Sequence, residues 1–405
     1  MKKKIITFCA AVIAAATASA FEVGPLDIGG AIRANYVNGS YDNNGTDGPQ
    51  RGSHGGNFEF DTFRINLDYQ QGPYLGKVEY RWYDGYNFFH TAWVGYDFED
   101  ESQLQLGLNR VPFGVGPYGP ANSWFFDQHY YVGLSDDMDL GFKYTIPLNN
   151  LTLDAAYYPM QEPNGWGSSL DSARYGYDPV DEKTDYSVYE QRNQIALRAI
   201  YSLADLPVPT DLGVSGLGGQ LDSRAEYADD SYYYAGAIHS KSTLGPWRLM
   251  AQLSHYDYQA EYENGALDMN DNPLTDDLIG MGAYNFAWPV ASRGTIPSVA
   301  LSYTWEPADI DFIDAVTFYN DWSVILKDGE TADGKKFNDS MLNVTGFSIA
   351  NGGWFIYVDY ALSDGNYFVG NEGDDYSSYE TVGDFGVNGN DKWNHRFNVN
   401  FGYYF

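Results

Sequence analysis

The 405-residue chain carries 55 acidic against 23 basic residues, is 17 % aromatic and contains one cysteine. So acidic a chain does not bind nucleic acid by neutralising phosphates, and one so aromatic has ample apolar surface to bury and is not disordered. The single Cys9 excludes a disulfide framework and thiolate metal sites.

The first twenty residues read as a secretory leader. Lys2, Lys3 and Lys4 form a charged start, residues 5–16 are mostly apolar, and Ala18, Ser19 and Ala20 supply a small-residue cleavage site. Mature residues 21–405 would then form a single domain with 20 basic against 55 acidic residues, a net charge of −35. Beyond the leader no run approaches the roughly 18 apolar residues that a spanning helix needs.

Alternation with period two begins at once. Leu26, Ile28, Ile32 and Tyr36 alternate with Asp27, Arg33 and Asn35. Phe63, Ile65, Leu67 and Tyr69 alternate with Arg64, Asn66 and Asp68, and Val78, Tyr80 and Trp82 with Lys77, Glu79 and Arg81. Such rows put one face against an apolar medium and the other against water. Leu104, Leu106 and Leu108 continue the pattern, and a long loop, 112–137, follows. Its core is Trp124, Phe125, Phe126, Asp127, Gln128, His129, Tyr130 and Tyr131, and it ends in Asp136 and Asp137. A loop so rich in rings is poorly suited to bulk water, so it is expected to fold into the interior and form a constriction from Trp124, Phe125, Phe126, Asp127, Tyr130, Asp136 and Asp137.

Further rows start at Leu140, Leu151, Ile195, Trp247, Val299 and Trp354. The last comprises Phe397, Val399, Phe401, Tyr403 and Phe405, alternating with Arg396, Asn398, Asn400 and Gly402. Tight Gly-, Pro- and Asn-bearing turns alternate with long, often acidic connections at 38–57, 112–137, 159–190, 259–277 and 364–391. Short periplasmic turns, long outer loops and apolar rows closed by Tyr or Trp are the marks of a transmembrane antiparallel β-barrel. About seventeen segments qualify, whereas single-chain bacterial barrels have even strand numbers. One is missed or false, at 203–231 or 277–297. Sixteen strands are expected, with eighteen as the alternative, around an aqueous lumen.

As phased, the water-facing rows carry nine cations: Arg33, Arg64, Lys77, Arg81, Lys143, Arg192, Arg198, Arg248 and Arg396. They are candidate pore-lining residues, either a basic ladder facing the solute or wall scaffolding paired with Asp27, Asp68, Glu79 and Asp154. The six histidines, His54, His90, His129, His239, His255 and His395, lack metal-ligand spacing. Asp268, Asn270, Asp271 and Asn272 resemble the start of a calcium loop, but Ile279 stands where a carboxylate is needed. No catalytic residue, resident metal or cofactor is expected.

Leu106, Gly107, Leu108, Asn109, Arg110, Val111, Pro112, Phe113 and Gly114, with the loop after them and Leu140, Gly141, Phe142, Lys143 and Tyr144, resemble Gram-negative outer-membrane porins of the phosphate-selective O and P type. The terminal aromatic strand resembles outer-membrane barrels generally, whose last residues are read by the barrel-assembly machinery. The resemblance implies sixteen strands, a homotrimer and a third outer loop folded inside. The loop 112–137 has no Lys or Arg, unlike anion-specific members. The expectation is therefore a passive outer-membrane channel, set among lipid and lipopolysaccharide, for small hydrophilic solutes with mild preference for cations or neutral molecules. The alternative is a substrate-specific phosphate or oligosaccharide porin; a barrel hydrolase or adhesin ranks below both.

Overall fold

The computed structural model describes residues 21–40, 52, 55–83, 85–162, 174–268, 271, 273–284, 286–332, 334–366, 369 and 393–405. The leader, His54, Asn270, Asn272 and most of the 38–57 and 364–391 loops lie outside the described residues.

In chain order the strands are β1 (Phe21–Val23), β2 (Leu26–Gly39), β3 (Asn57–Gln71), β4 (Tyr74–Tyr83), β5 (Tyr86–Asp97), β6 (Gln103–Arg110), β7 (Met138–Leu148) and β8 (Leu151–Met160). Then come β9 (Arg174–Pro179), β10 (Asp181–Thr184), β11 (Ser187–Leu203), β12 (Thr210–Ser223), β13 (Ser231–Leu244) and β14 (Trp247–Tyr258). The last are β15 (Leu278–Tyr284), β16 (Phe286–Ala291), β17 (Arg293–Trp305), β18 (Ala315–Asp328), β19 (Ser340–Asn351), β20 (Trp354–Asp364) and β21 (Trp393–Tyr404).

The main sheet contains eighteen of these strands, but β1 and β10 are short flaps folded back on β2 and β11. The remaining sixteen form the wall, each antiparallel to its neighbours. It closes where β21 pairs with β2, from Ala31 opposite Tyr404 to Gly39 opposite Arg396. Phe405 seals the seam, exchanging both backbone hydrogen bonds with Gly30 at 2.8 and 3.0 Å. Closure leaves no free strand edge, which is what lets strands cross a bilayer with every backbone group satisfied.

The alternation read from sequence sets the wall's two faces. Ile32, Trp82, Val94, Leu106, Ile195, Leu197, Val299, Leu301 and Phe401 are exposed on the outside. Asn35, Glu79, Arg81, Asp321, Asp359, Arg396 and Asn398 are buried inside. Exposed Tyr74, Tyr96, Trp247, Trp305, Trp354 and Tyr403 gather at the end carrying the tight turns, as an interfacial aromatic girdle does. An apolar outer face, a closed wall and this girdle are those of a transmembrane β-barrel. At those turns Gly72 and Gly352 have φ of +61° and +54°, the left-handed value a two-residue hairpin needs at its first central position.

Of the two ambiguous regions, 203–231 holds a true wall strand, β12, whereas the apolar run after Asp277 does not enter the wall. It forms β15 and β16, and β15 lies between β16 and β9 in a separate three-stranded sheet. Both faces of β15 are buried, with Leu278, Ile279 and Met281 fully covered. Fully buried strands show an apolar run instead of alternation, which is why the region inflated the strand count.

Candidate pore and constriction loop

Residues 111–137 leave the wall at Arg110 and return at Met138. Pro112, Pro117 and Pro120 cannot extend a ladder, because each lacks an amide donor. At Gly114 φ is +67°, and a Cβ there would meet the Gln252 side chain at 2.5–3.0 Å, so the loop backbone approaches the wall where only glycine fits.

The loop folds inward and hangs from inward-facing side chains around much of the wall. On β12 and β14, Ser215 Oγ accepts from the Gly114 amide at 3.0 Å and Gln252 Oε1 from the Val115 amide at 2.8 Å. On β18, Asp321 accepts from the Asn122 amide and side chain, both at 2.7 Å, and from the Ser123 amide at 2.8 Å. On β20, Asp359 accepts from the Trp124 amide at 3.1 Å; on β3, Asp61 accepts from the Trp124 indole at 3.3 Å. Ser323 accepts from the Gln128 amide at 3.0 Å. These buried acceptors satisfy loop amides that would otherwise lie desolvated and unpaired.

Asp127 and His129 form the deepest anchor. His129 Nδ1 lies 2.6 Å from Asp127 Oδ2, and its Nε2 lies 2.8 Å from Ser254 Oγ on β14. Ser298 on β17 donates to Asp127 at 2.7 Å. The order serine, histidine, aspartate is that of a hydrolytic triad. All three side chains are buried between loop and wall. The array fastens loop to wall.

The other expected loop residues divide. Phe125 is buried; its ring and that of half-buried Trp124 lie 5.2 and 5.1 Å beneath the Arg396 guanidinium. Tyr130 packs edge-on against Tyr177 of β9 at 4.9 Å, and Phe126 packs on Tyr130 at 4.7 Å. Asp136 pairs with Arg110 at 2.6 Å and faces His90 at 3.6 Å. Burial works to raise the Asp136 carboxyl, but Arg110 and His90 outweigh it and hold it down to about 2. Asp137 is buried on the opposite side of the loop's end, among other carboxylates.

The nine cations also divide. Arg33 pairs with Asp61 at 3.0 Å, Arg64 with Glu79 at 3.3 Å, Arg198 with Asp154 at 2.8 Å and Lys77 with Asp68 at 2.9 Å. Arg81 is buried, held by Glu79 at 2.5 Å and covered by the Tyr175 ring 4.6 Å away. Lys143 donates to the Arg110 carbonyl at 2.9 Å, Arg248 to Asn122 Oδ1 at 2.6 Å and Arg396 to Asn398 at 2.8 Å. Arg192 is a correction. A bulge between Arg192 and Ile195, with Asn193 at φ +51°, reverses the phase of β11. Gln191 and Gln194 both point inward to Tyr233, so Arg192 lies outside, in a cluster with Glu190, Asp222 and Arg224.

Five cations of the expected ladder, Arg33, Arg64, Lys77, Arg81 and Arg198, are thus built into ion pairs on the wall, and several of the arginine pairs share a polarity. Arg33, Arg64, Arg110 and Arg198 keep 17–29 % of their side-chain surface accessible, whereas their partners Asp61, Glu79, Asp136 and Asp154 keep 1–9 %. In these four pairs the guanidinium is the accessible member and the carboxylate is buried behind it. Sequence reading missed Arg110, Asp61, Asp321 and Asp359. For Asp321 and Asp359 the available sign was a lone acid within an inward row, between Tyr319 and Ser323 or between Tyr357 and Ala361.

No known family's sequence pattern matches the chain, and no curated protein matches it. Solved structures do. OmpT, an outer membrane protein of Vibrio cholerae, is 13 % identical with a TM-score of 0.57 over 96 % of this chain and 100 % of that one. The outer membrane channel DcaP of Acinetobacter baumannii is 11 % identical, with a TM-score of 0.56 over 96 % and 100 %. An anion-selective porin from Comamonas acidovorans is 10 % identical, with a TM-score of 0.54 over 94 % and 99 %. These likenesses establish a shared closed β-barrel fold and do not single out the phosphate-selective O and P type.

Proposed function

We propose that the chain is a passive diffusion channel for small hydrophilic solutes, without covalent chemistry. One observation carries this reading: inside the closed wall, and past the docked loop, Arg33, Arg64, Arg110 and Arg198 remain accessible to water. A sixteen-stranded barrel is wide enough for an aqueous lumen, and the loop narrows it without consuming those faces.

The same faces set the selectivity. The sequence led to an expectation of cations or neutral solutes, because the loop 112–137 carries no Lys or Arg and the long outer loops are acidic. A permeating ion, however, feels charges within about one Debye length, roughly 8 Å at physiological salt. In the pairs of Arg33, Arg64, Arg110 and Arg198 the guanidinium is the more accessible member, with its carboxylate buried behind it. This arrangement favours small anions and neutral solutes, with only a weak preference because each pair is formally neutral.

Reversal potentials in planar bilayers under a potassium chloride gradient test it. Chloride is expected to permeate more readily than potassium, by a factor of about two to five if the local potential favours anions by 0.4–1 kcal/mol. Neutralising Arg33, Arg64 and Arg198 to Gln should move the ratio towards cations. A potassium preference in the unaltered protein would overturn the selectivity reading.

A further inference from the structure

Where the inward loop re-enters the wall, four acidic side chains converge in the protein interior. Asp137 ends the loop, Asp139 lies on β7, Glu162 follows β8, and Asp178 belongs to β9 of the small sheet. All four are at least nine-tenths buried. One carboxylate oxygen from each of Asp137, Asp139 and Asp178 lies within 4.8 Å of the other two. Two oxygens sharing a calcium ion at about 2.4 Å can be no more than about 4.8 Å apart, so this spacing fits a single ion.

A second observation separates this cluster from an ordinary acidic patch. Asp137 is 5 % exposed, and its Oδ1, buried, accepts no hydrogen bond. That oxygen points into the cluster. Gly176, two residues before Asp178, leaves an open corner there: a Cβ on it would stand 3.1 Å from Asp137 Oδ1, 3.3 Å from Glu162 Oε1 and 3.9 Å from Asp178 Oδ2. The remaining polar contacts orient the carboxylates. The Gly176 amide donates to Glu162 at 2.6 Å and Gln194 Nε2 to Asp139 Oδ2 at 2.5 Å. A buried oxygen without a donor, facing other carboxylates, is costly unless a positive charge joins it.

We propose that Asp137, Asp139 and Asp178, with Glu162 as a fourth donor, bind one divalent cation, calcium by preference. An all-oxygen, carboxylate-rich set of irregular geometry suits calcium, which accepts six to eight oxygens, better than magnesium with its strict octahedron. The ion would tie the end of the inward loop and the start of β7 to the small sheet that packs over them. It therefore clamps the loop in place from the outer side, where the milieu supplies calcium.

Full-length barrel, refolded in detergent and stripped with chelator, should be titrated with calcium chloride by calorimetry and melted with and without the ion. One saturable site per chain is expected, with affinity on the order of 10⁻⁴–10⁻³ M, together with a higher melting midpoint. Asp137→Asn and Asp178→Asn should each weaken binding at least tenfold and raise the midpoint of the chelated protein, since each removes a mutually repelling buried charge. Asp309→Asn, in an exposed turn, should leave both readouts unchanged. The alternative is a cluster held together by protons. An unaltered protein that shows no saturable calcium site up to about 10 mM, tenfold above the weakest expected affinity, would establish it and overturn the proposal even if a variant failed to fold. A calcium site that survives the double substitution of Asp137 and Asp178 would overturn it as well.

Discussion

Asp321 gathers three donors from the inward loop, and no other described wall residue holds the loop at so many points. Asp321→Ala would strand the Asn122 and Ser123 amides in a dry site, at a cost of about 1–3 kcal/mol per unmet group. Asp321→Asn keeps an acceptor oxygen and should cost less. Limited proteolysis within 111–137 reads the difference: faster cleavage in the alanine variant, near-normal resistance in the asparagine variant. At this scale the sequence was legible wherever a residue announces its own environment. The rings of Trp124 to Tyr131 told of a loop that could not face water, and the buried Phe125 and Tyr130 agree. The wall acceptors were illegible, because Asp321 and Asp359 lie about two hundred residues beyond the amides they receive. Nothing local to an aspartate reveals so distant a donor.

A strand's phase decides what each of its side chains meets, and one extra residue reverses it. The bulge in β11 does this to Arg192 while leaving Arg198, six positions on, inside the wall. Both arginines look equivalent in a strict period-two reading, and a bulge carries no dependable sequence mark when its left-handed residue is Asn193. The structure therefore gives them different consequences. Arg192→Ala should leave conductance and ion preference within error of the unaltered channel, whereas Arg198→Ala should shift preference towards cations; paired reversal-potential recordings compare them directly. Where strands run without bulges the sequence suffices. In β21 Phe397, Val399, Phe401 and Tyr403 face out while Arg396, Asn398 and Asn400 are buried within, as their alternation demands. The sheet of β9, β15 and β16 escaped that logic, since a strand covered on both faces has no alternation to read.

For the molecule as a whole, closure is the governing event. β21 pairs with β2 across more than three hundred residues, and that pairing satisfies the two edges the wall would otherwise leave open. Gly30 makes room at the seam, where an added Cβ would stand 2.6 Å from the Phe405 ring and collide with the Arg64 carbonyl. Gly30→Val should thus yield protein that inserts poorly and lacks the compact, fast-migrating form that folded barrels show on unheated gels. The net charge, so useful for excluding nucleic-acid partners, says little about transport at this scale, because a permeating ion feels only the charges within about one Debye length, roughly 8 Å at physiological salt. An open lumen narrowed by a loop docked on the inner wall can be read by single-channel recording of the purified protein in planar bilayers. Discrete, ohmic conductance steps that grow larger and noisier when Asp321 and Asp359 are both changed to alanine are the expected result; a bilayer that stays silent with folded protein inserted would contradict the account.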